Sequence, residues 1–355
     1  MSSVDARERV VPRGVKETSA QARARTALPQ RAPVLRPGEI VAFRGLFADV
    51  LCEGEVLRCA VRGRLETVDS ADSSLMVVGD RVEVSDTGEG RGVVERMLER
   101  TNELVRAAPG TRHDDGGRSR HPRFRQVIAA NVGRVMLVTS IREPAFRPGI
   151  VDRFLVAASS QGLKASLVMN KADLAAEGAA REELDGFRAI YSKIGLRVIV
   201  TSAVKGTGLA ELAGALGEAR TVLVGHSGVG KSSLLNALEP GLAIPARKVN
   251  RKTGKGTHAT TVARLLRLAS GAEVVDTPGV RELAIVGAAS VDLEAHFAEF
   301  LPLIDGCEMD NCAHRAEPGC AVKQAVDDGR INPRRYESYL AIREEMEKAE
   351  RPYAT

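Results

Sequence analysis

The chain has 355 residues, 44% apolar and 27% charged, which suits two or three soluble domains and excludes collagen-like or wholly disordered chains. No apolar run approaches the roughly 18–20 residues needed to cross a bilayer. The first thirty residues hold no apolar block of the kind a secretion signal needs, so a cytoplasmic protein is expected.

The net charge of +5 is local, because residues 1–37 carry eight basic side chains against three acidic ones, which is the whole excess. This arm is rich in Ala, Arg, Pro and Ser and reads as disordered. It either grips phosphate backbones by counterion release or is a solvated tail. Residues 38–105 alternate in short apolar runs. GEIVAFRGLFADVL, EVLRCAVRG, DRVEVS and GVVERMLE read as four strands of a small antiparallel barrel, with Cys52 and Cys59 as buried small apolar residues.

Residues 106–125 are Gly-rich, charged and aperiodic, and read as a linker. Over 126–287 strands such as VGRVMLVTS, KASLVMN, RVIVTS and TVLVG alternate with helical stretches. The first of those helices is expected to present Ile150, Val151, Phe154 and Leu155 on one face. Strands alternating with helices predict a parallel sheet covered on both sides. Residues 288–355 read as a helical domain with a cysteine cluster between its helices.

Gly225-His226-Ser227-Gly228-Val229-Gly230-Lys231-Ser232 is a complete G-x-x-x-x-G-K-[ST] loop, between a predicted strand and a helix that continues through Ser233. Its glycines let backbone N–H groups curl around phosphate oxygens, Lys231 reaches the β- and γ-phosphates, and Ser232 is placed to ligate Mg²⁺. Asp276, ending the strand before Thr277-Pro278-Gly279, is a second candidate for Mg²⁺, and the Gly279 N–H can meet the γ-phosphate. Asn170-Lys171-Ala172-Asp173 matches N-K-x-D. The acceptor-only carboxylate of Asp173 fits the two adjacent donors of guanine and would be repelled by the acceptor at N1 of adenine. Thr201-Ser202-Ala203 fits the loop that closes on the guanine oxygen, so the ligand is GTP or GDP.

Between the phosphate loop and Asp276 lies NRKTGKGTHATTVARL, with the character of a mobile switch. Thr260 or Thr261 is placed to ligate Mg²⁺ there when the γ-phosphate is present, with Thr260 preferred. The base-reading motifs precede the phosphate loop in the chain, the reverse of most GTPases, so the domain is permuted. Cys307, Cys312, His314 and Cys320, spaced C-x₄-C-x-H-x₅-C, make a closed tetrahedral set suited to one structural Zn²⁺. His113, His121 and His296 read as surface or linker histidines without a role.

The permuted order, the small barrel and the cysteine cluster, with GDRV at 79–82, IAAN at 128–131, NKAD, GHSGVGKSSL, DTPGVRE and PGCAV, resemble the bacterial ribosome small subunit-dependent GTPase A family. The resemblance implies an α/β fold: a circularly permuted P-loop GTPase domain with a mostly parallel sheet, an N-terminal OB-fold β-barrel and a C-terminal helical zinc-binding domain. It also implies a role in late maturation of the small ribosomal subunit, with GTP hydrolysis stimulated by that subunit and coupled to release. The partners so implied are GTP or GDP and the small subunit with its rRNA, with no membrane, for a protein expected to be a monomer. The family's switch usually reads G-x-H-T-T, whereas this chain has Gly256-Thr257-His258-Ala259-Thr260-Thr261.

Many GTPases place Gln after the D-x-x-G glycine to orient water. Here Val280 stands there and can neither donate nor accept, so slow intrinsic turnover is expected. His258 is the local candidate to position water, or alternatively a contact to rRNA or solvent. A second functional reading is an rRNA-binding assembly scaffold in which guanine nucleotide only switches affinity.

Overall fold

A computed structural model describes residues 34–61, 76–107, 125–244, 263–277 and 283–350. Residues 1–33 of the arm, most of the linker with His113 and His121, His258, Thr260 and Thr261 of the switch, and Gly279 with Val280 lie outside the described residues.

Five strands open the structure: β1 (Leu35–Arg44), β2 (Phe47–Cys52), β3 (Glu55–Val61), β4 (Arg81–Gly88) and β5 (Arg91–Met97). They close into a barrel in the order β1-β2-β3-β5-β4-β1, with β3 and β5 parallel. This is the OB-like barrel expected. It holds five strands where four were read, because the run from Gly38 breaks at a turn through Gly45, whose φ is +64°. Ile40, Val50, Cys52, Leu57, Cys59, Val82, Val84 and Val94 fill it, and both cysteines are fully buried as expected.

The second unit alternates strand and helix: β8 (Arg134–Ser140), α1 (Pro148–Ser160), β9 (Lys164–Asn170), α2 (Gly178–Lys193), β10 (Arg197–Val200), α3 (Leu209–Gly217), β11 (Thr221–Val224), α4 (Lys231–Leu238), β12 (Arg264–Arg267) and β13 (Glu273–Asp276). The order β10-β9-β8-β11-β13-β12 is parallel except for β12. Strands buried on both sides carry alternating side chains into two separate cores. Along β8, Val135 and Leu137 join the core under α1 and α2, while Met136 and Val138 join the one under α3 and α4. The expected permuted α/β domain is therefore present.

Barrel and sheet are continuous, since Ala42 of β1 pairs with Arg264 of β12. Arg220, just before β11, bonds Glu39 of β1 and Glu273 of β13. A separate antiparallel pair, β6 (Glu103–Ala107) and β7 (Arg125–Ala130), flanks the junction. There the GDRV and IAAN runs meet. Asn131 Nδ2 donates to Gly79 O at 2.7 Å and its Oδ1 accepts from Thr101 N at 2.9 Å. A Cβ at Gly79 would stand 2.2 Å from Ala130 O, which is why glycine is required.

The last unit comprises 3₁₀ turns at Ser290–His296 and Ile304–Gly306, then α5 (Ala321–Asp327) and α6 (Pro333–Glu350). Its core of Leu293, Phe297, Phe300, Val322, Tyr339 and Ile342 also takes in Val156 of α1. Helix α1 is thus covered on two sides, which the one-face reading did not anticipate. Val151 and Phe154 are buried against the sheet as expected, Ile150 and Leu155 only partly buried, and Asp152 and Val156 are buried toward α6. No helix among the described residues is long and apolar enough to cross a membrane.

Candidate functional site

The three motif loops converge at one end of the sheet because β8, β9, β10, β11 and β13 run parallel and release their loops on the same side. Between β11 and α4, the loop Gly225–Gly230 turns tightly enough that only glycine fits at both ends. At Gly225 a Cβ would lie 2.2 Å from Val138 O, and at Gly230, φ +97°, it would lie 2.3 Å from Asn170 Nδ2. The Lys231 amine sits inside the loop, donating to Gly225 O and, at 3.2 Å, to His226 O. Ser232 and Ser233 follow in the first turn of α4, where unbonded backbone N–H groups favour anions.

Asn170 ends β9 and joins the loops to one another. Its Nδ2 donates to Val229 O at 2.9 Å, and its Oδ1 accepts from Thr201 Oγ1 at 3.2 Å and Ala203 N at 3.3 Å. Lys171 adopts φ 61° and its amine donates to Glu143 O. Asp173 follows in the 3₁₀ turn Ala172–Ala175 and accepts from Ser202 Oγ. Ala172 N donates to Thr201 O at 3.0 Å, holding the two base-reading loops side by side. The Asp173 carboxylate that suits guanine and the loop that suits phosphate are thus parts of one bonded assembly.

Asp276 ends β13 opposite Leu223 of β11, beside the phosphate loop. It is 5% exposed. Burial pushes its carboxyl up, and the charges of Arg264 and Lys231 oppose that shift. Arg264 Nε lies 4.0 Å from Asp276 Oδ2. An anionic group this buried, next to a phosphate loop, is suited to a hydrated cation. Ser140, Arg147, His226 and Ser227 contribute to a cavity of about 250 Å³ on the β8 side of the loop.

Far along the chain, Cys307, Cys312, His314 and Cys320 bring their donor atoms within 4.8 Å of one another. His314 Nδ1 faces the sulfurs, 3.6 Å from Cys307 Sγ and 3.4 Å from Cys320 Sγ. Three thiols and an imidazole at this spacing can hold one metal ion. The loop that carries them is braced from behind. Glu317 accepts from the N–H groups of Ala313, Arg315 and Ala316, while Tyr336 OH and Tyr339 OH donate to His314 O and Ala313 O.

Some contributing residues carried no motif. Arg335 of α6 reaches Asp152 of α1 at 2.7 Å and grips Glu299, a buried network that charged residue types concealed. His296, expected to lie at the surface, has a partner there. It is partly buried, and its Nδ1 lies 2.9 Å from Ser159 Oγ on α1.

Residues 97–286 match the family described as RsgA GTPase. The Small ribosomal subunit biogenesis GTPase RsgA of Chlorobaculum parvum is 38% identical over 301 residues, covering 83% of this chain and 93% of that protein. The protein of the same name from Pseudomonas aeruginosa is 39% identical over 306 residues, covering 86% and 84%. Among solved structures, YjeQ from Thermotoga maritima superposes with a TM-score of 0.68 at 33% identity, over 88% of this chain and 99% of that one. YloQ, described as a circularly permuted GTPase, gives a TM-score of 0.66 at 28% identity, over 91% and 99%.

Proposed function

The chain belongs to the RsgA GTPase family, and from that premise we propose that it binds the small ribosomal subunit late in its maturation and couples GTP hydrolysis to its release. It is a GTP hydrolase. The observation that carries the site assignment is the amide of Asn170, which bonds the base-reading and phosphate-binding loops together.

Asp173 takes the guanine N1–H and N2 amino donors, and Ser202 and Ala203 close the base side. The loop Gly225–Gly230 and the N–H groups of Lys231, Ser232 and Ser233 wrap the phosphates, with the Lys231 ammonium on the β- and γ-oxygens. Ser232 and Asp276, joined by Thr260 or Thr261, would hold Mg²⁺, which when bound would neutralise charge on the phosphate oxygens. Gly279 meets the γ-phosphate, and His258 orients the attacking water once the subunit orders its loop. Zn²⁺ in Cys307, Cys312, His314 and Cys320 is structural, because four protein donors leave no open position.

The domains run as an arm, a barrel that begins with β1 at Leu35 where 38 was expected, a linker whose expected span 106–125 is entered at both ends by β6 and β7, the GTPase unit to 287 and the metal-binding unit 288–355. The barrel and the basic arm contact rRNA through shape and phosphates, and aromatic residues at 3% of the chain make base stacking a minor grip. The protein works as a monomer in the cytoplasm.

The test is GTP turnover by the purified chain alone, then with small subunits, large subunits or free RNA at equal concentration. Strong stimulation confined to small subunits is expected. Turnover that no partner raises, together with nucleotide-dependent subunit binding, would establish a scaffold in which GTP only sets affinity.

A further inference from the structure

His314 presents its two ring nitrogens to different surroundings. Nδ1 faces Cys307 and Cys320 and is the ligating atom. Nε2 is buried and has no hydrogen-bond partner, in a side chain 1% exposed. A metal on Nδ1 leaves the proton on Nε2, which then becomes an obligatory donor.

A carboxylate faces that donor. Glu294 Oε2, on the turn Ser290–His296, stands 3.8 Å from His314 Nε2, and Arg343 Nη1 lies 3.6 Å from the same oxygen. The rings of Phe300 and Tyr339 flank the imidazole, with centroids 5.9 and 6.1 Å away, and fix its plane. A contraction of under about an ångström would complete a hydrogen bond. Carboxylates in this position hold the ligating tautomer and raise the basicity of the metal-bound nitrogen.

We infer that Glu294 is the hydrogen-bond acceptor of metal-bound His314, a positioning residue that strengthens metal binding without touching the ion. The inference rests on the metal reading of the cluster. The turn that carries Glu294 also carries His296, bonded to Ser159 of α1, so the support for the metal site is anchored on the GTPase domain.

The test uses the full chain and competition between it and a chromogenic chelator for Zn²⁺. Glu294→Ala weakens metal binding about 10–100-fold, and Glu294→Gln, whose amide oxygen still accepts, loses less. In a His314→Cys background the N–H is gone, and Glu294→Ala then changes affinity by less than about twofold, since the coupling has been removed. Equal weakening in both backgrounds would show general support of the loop and overturn the inference. So would unchanged affinity in the native background. Should Glu294→Ala fail to fold, Glu294→Met, which also lacks the acceptor oxygen, takes its place in the two backgrounds, with the same two outcomes. A native chain that takes up no Zn²⁺ would instead fail the metal reading itself.

Discussion

The side-chain amide of Asn170 donates to the main-chain carbonyl of Val229 across 2.9 Å, although the two residues are 59 positions apart. One side chain therefore sets the distance between the part of the site that reads a base and the part that holds phosphate. Asn170→Ala leaves Val229 O, Thr201 Oγ1 and Ala203 N without their partner, at about 1–3 kcal/mol for such buried groups. GDP affinity is expected to fall at least about tenfold, with a lowered melting temperature. Fluorescent-GDP titration and a thermal melt measure both.

Asp173→Asn changes one acceptor oxygen into a donor amide while keeping the shape. Guanine, which shows donors there, is rejected by about 10²–10⁴ in affinity. Xanthine carries an oxygen in place of the amino group and is expected to bind instead. Competition of xanthosine and guanosine triphosphates for the variant reads the exchange, and retained preference for guanosine would remove Asp173 from the base site.

Arg335 is the cation of the joint between α1 and α6. It bonds the fully buried Asp152 and Glu299 and stacks 4.6 Å over the Phe297 ring. Arg335→Met strands Asp152 as an uncompensated buried charge, and about 3–5 kcal/mol of stability is expected to go. Urea denaturation shows it as a lower midpoint. The second substitution Asp152→Asn, which neutralises the stranded group, should recover part of the loss.

Glu317 gives a pH dependence of known sign. Burial would raise its carboxyl, but the backbone N–H groups of Glu317, Arg315, Ala313 and Ala316 prevail and lower it from 4.5 to about 2. A depressed carboxyl stabilises the fold fully above its unfolded pKa and loses that contribution as pH falls through its folded value. The stability difference between the native chain and Glu317→Gln should therefore be constant above about pH 5 and shrink as pH falls from 4.5 toward 2. Urea midpoints taken across that window test it.

Thiol chemistry separates the two kinds of cysteine. Cys52 and Cys59 are fully buried in the barrel, and burial pushes the Cys59 thiol up to about 11. Removing metal with a chelator is expected to release Cys307, Cys312 and Cys320 to a thiol reagent while Cys52 and Cys59 react only after unfolding. Release of all five cysteines together on chelation would mean that the barrel unfolds with the metal site.

The motif loops were legible in the sequence because each needs particular chemistry at fixed local spacing. Glycines at 225 and 230, the lysine at 231 and the carboxylate at 173 have few substitutes. The cysteine set was legible for the same reason. What escaped depends on contacts between distant segments. Nothing local tells Ala42 that it pairs with Arg264, or tells the run at 38–51 to fold back at Gly45. Helix α1 misled for a related cause: it is covered on a second side by α6, some 180 residues away, where Val156 joins the core of the last unit and Asp152 meets Arg335. Glu294 and His296 belong to this class as well. Polar side chains disclose their partners only in three dimensions.

Pairing between β1 and β12 also bears on how the molecule stays apart from its neighbours. A sheet ending at β12 would present a row of free amides and carbonyls, a ready template for any extended strand that drifted past. At Ala42 the barrel meets that margin and, among the described residues, closes on itself through the pairing of β1 with β4. Its loss would therefore leave β12 open to pairing with a second chain and foster self-association.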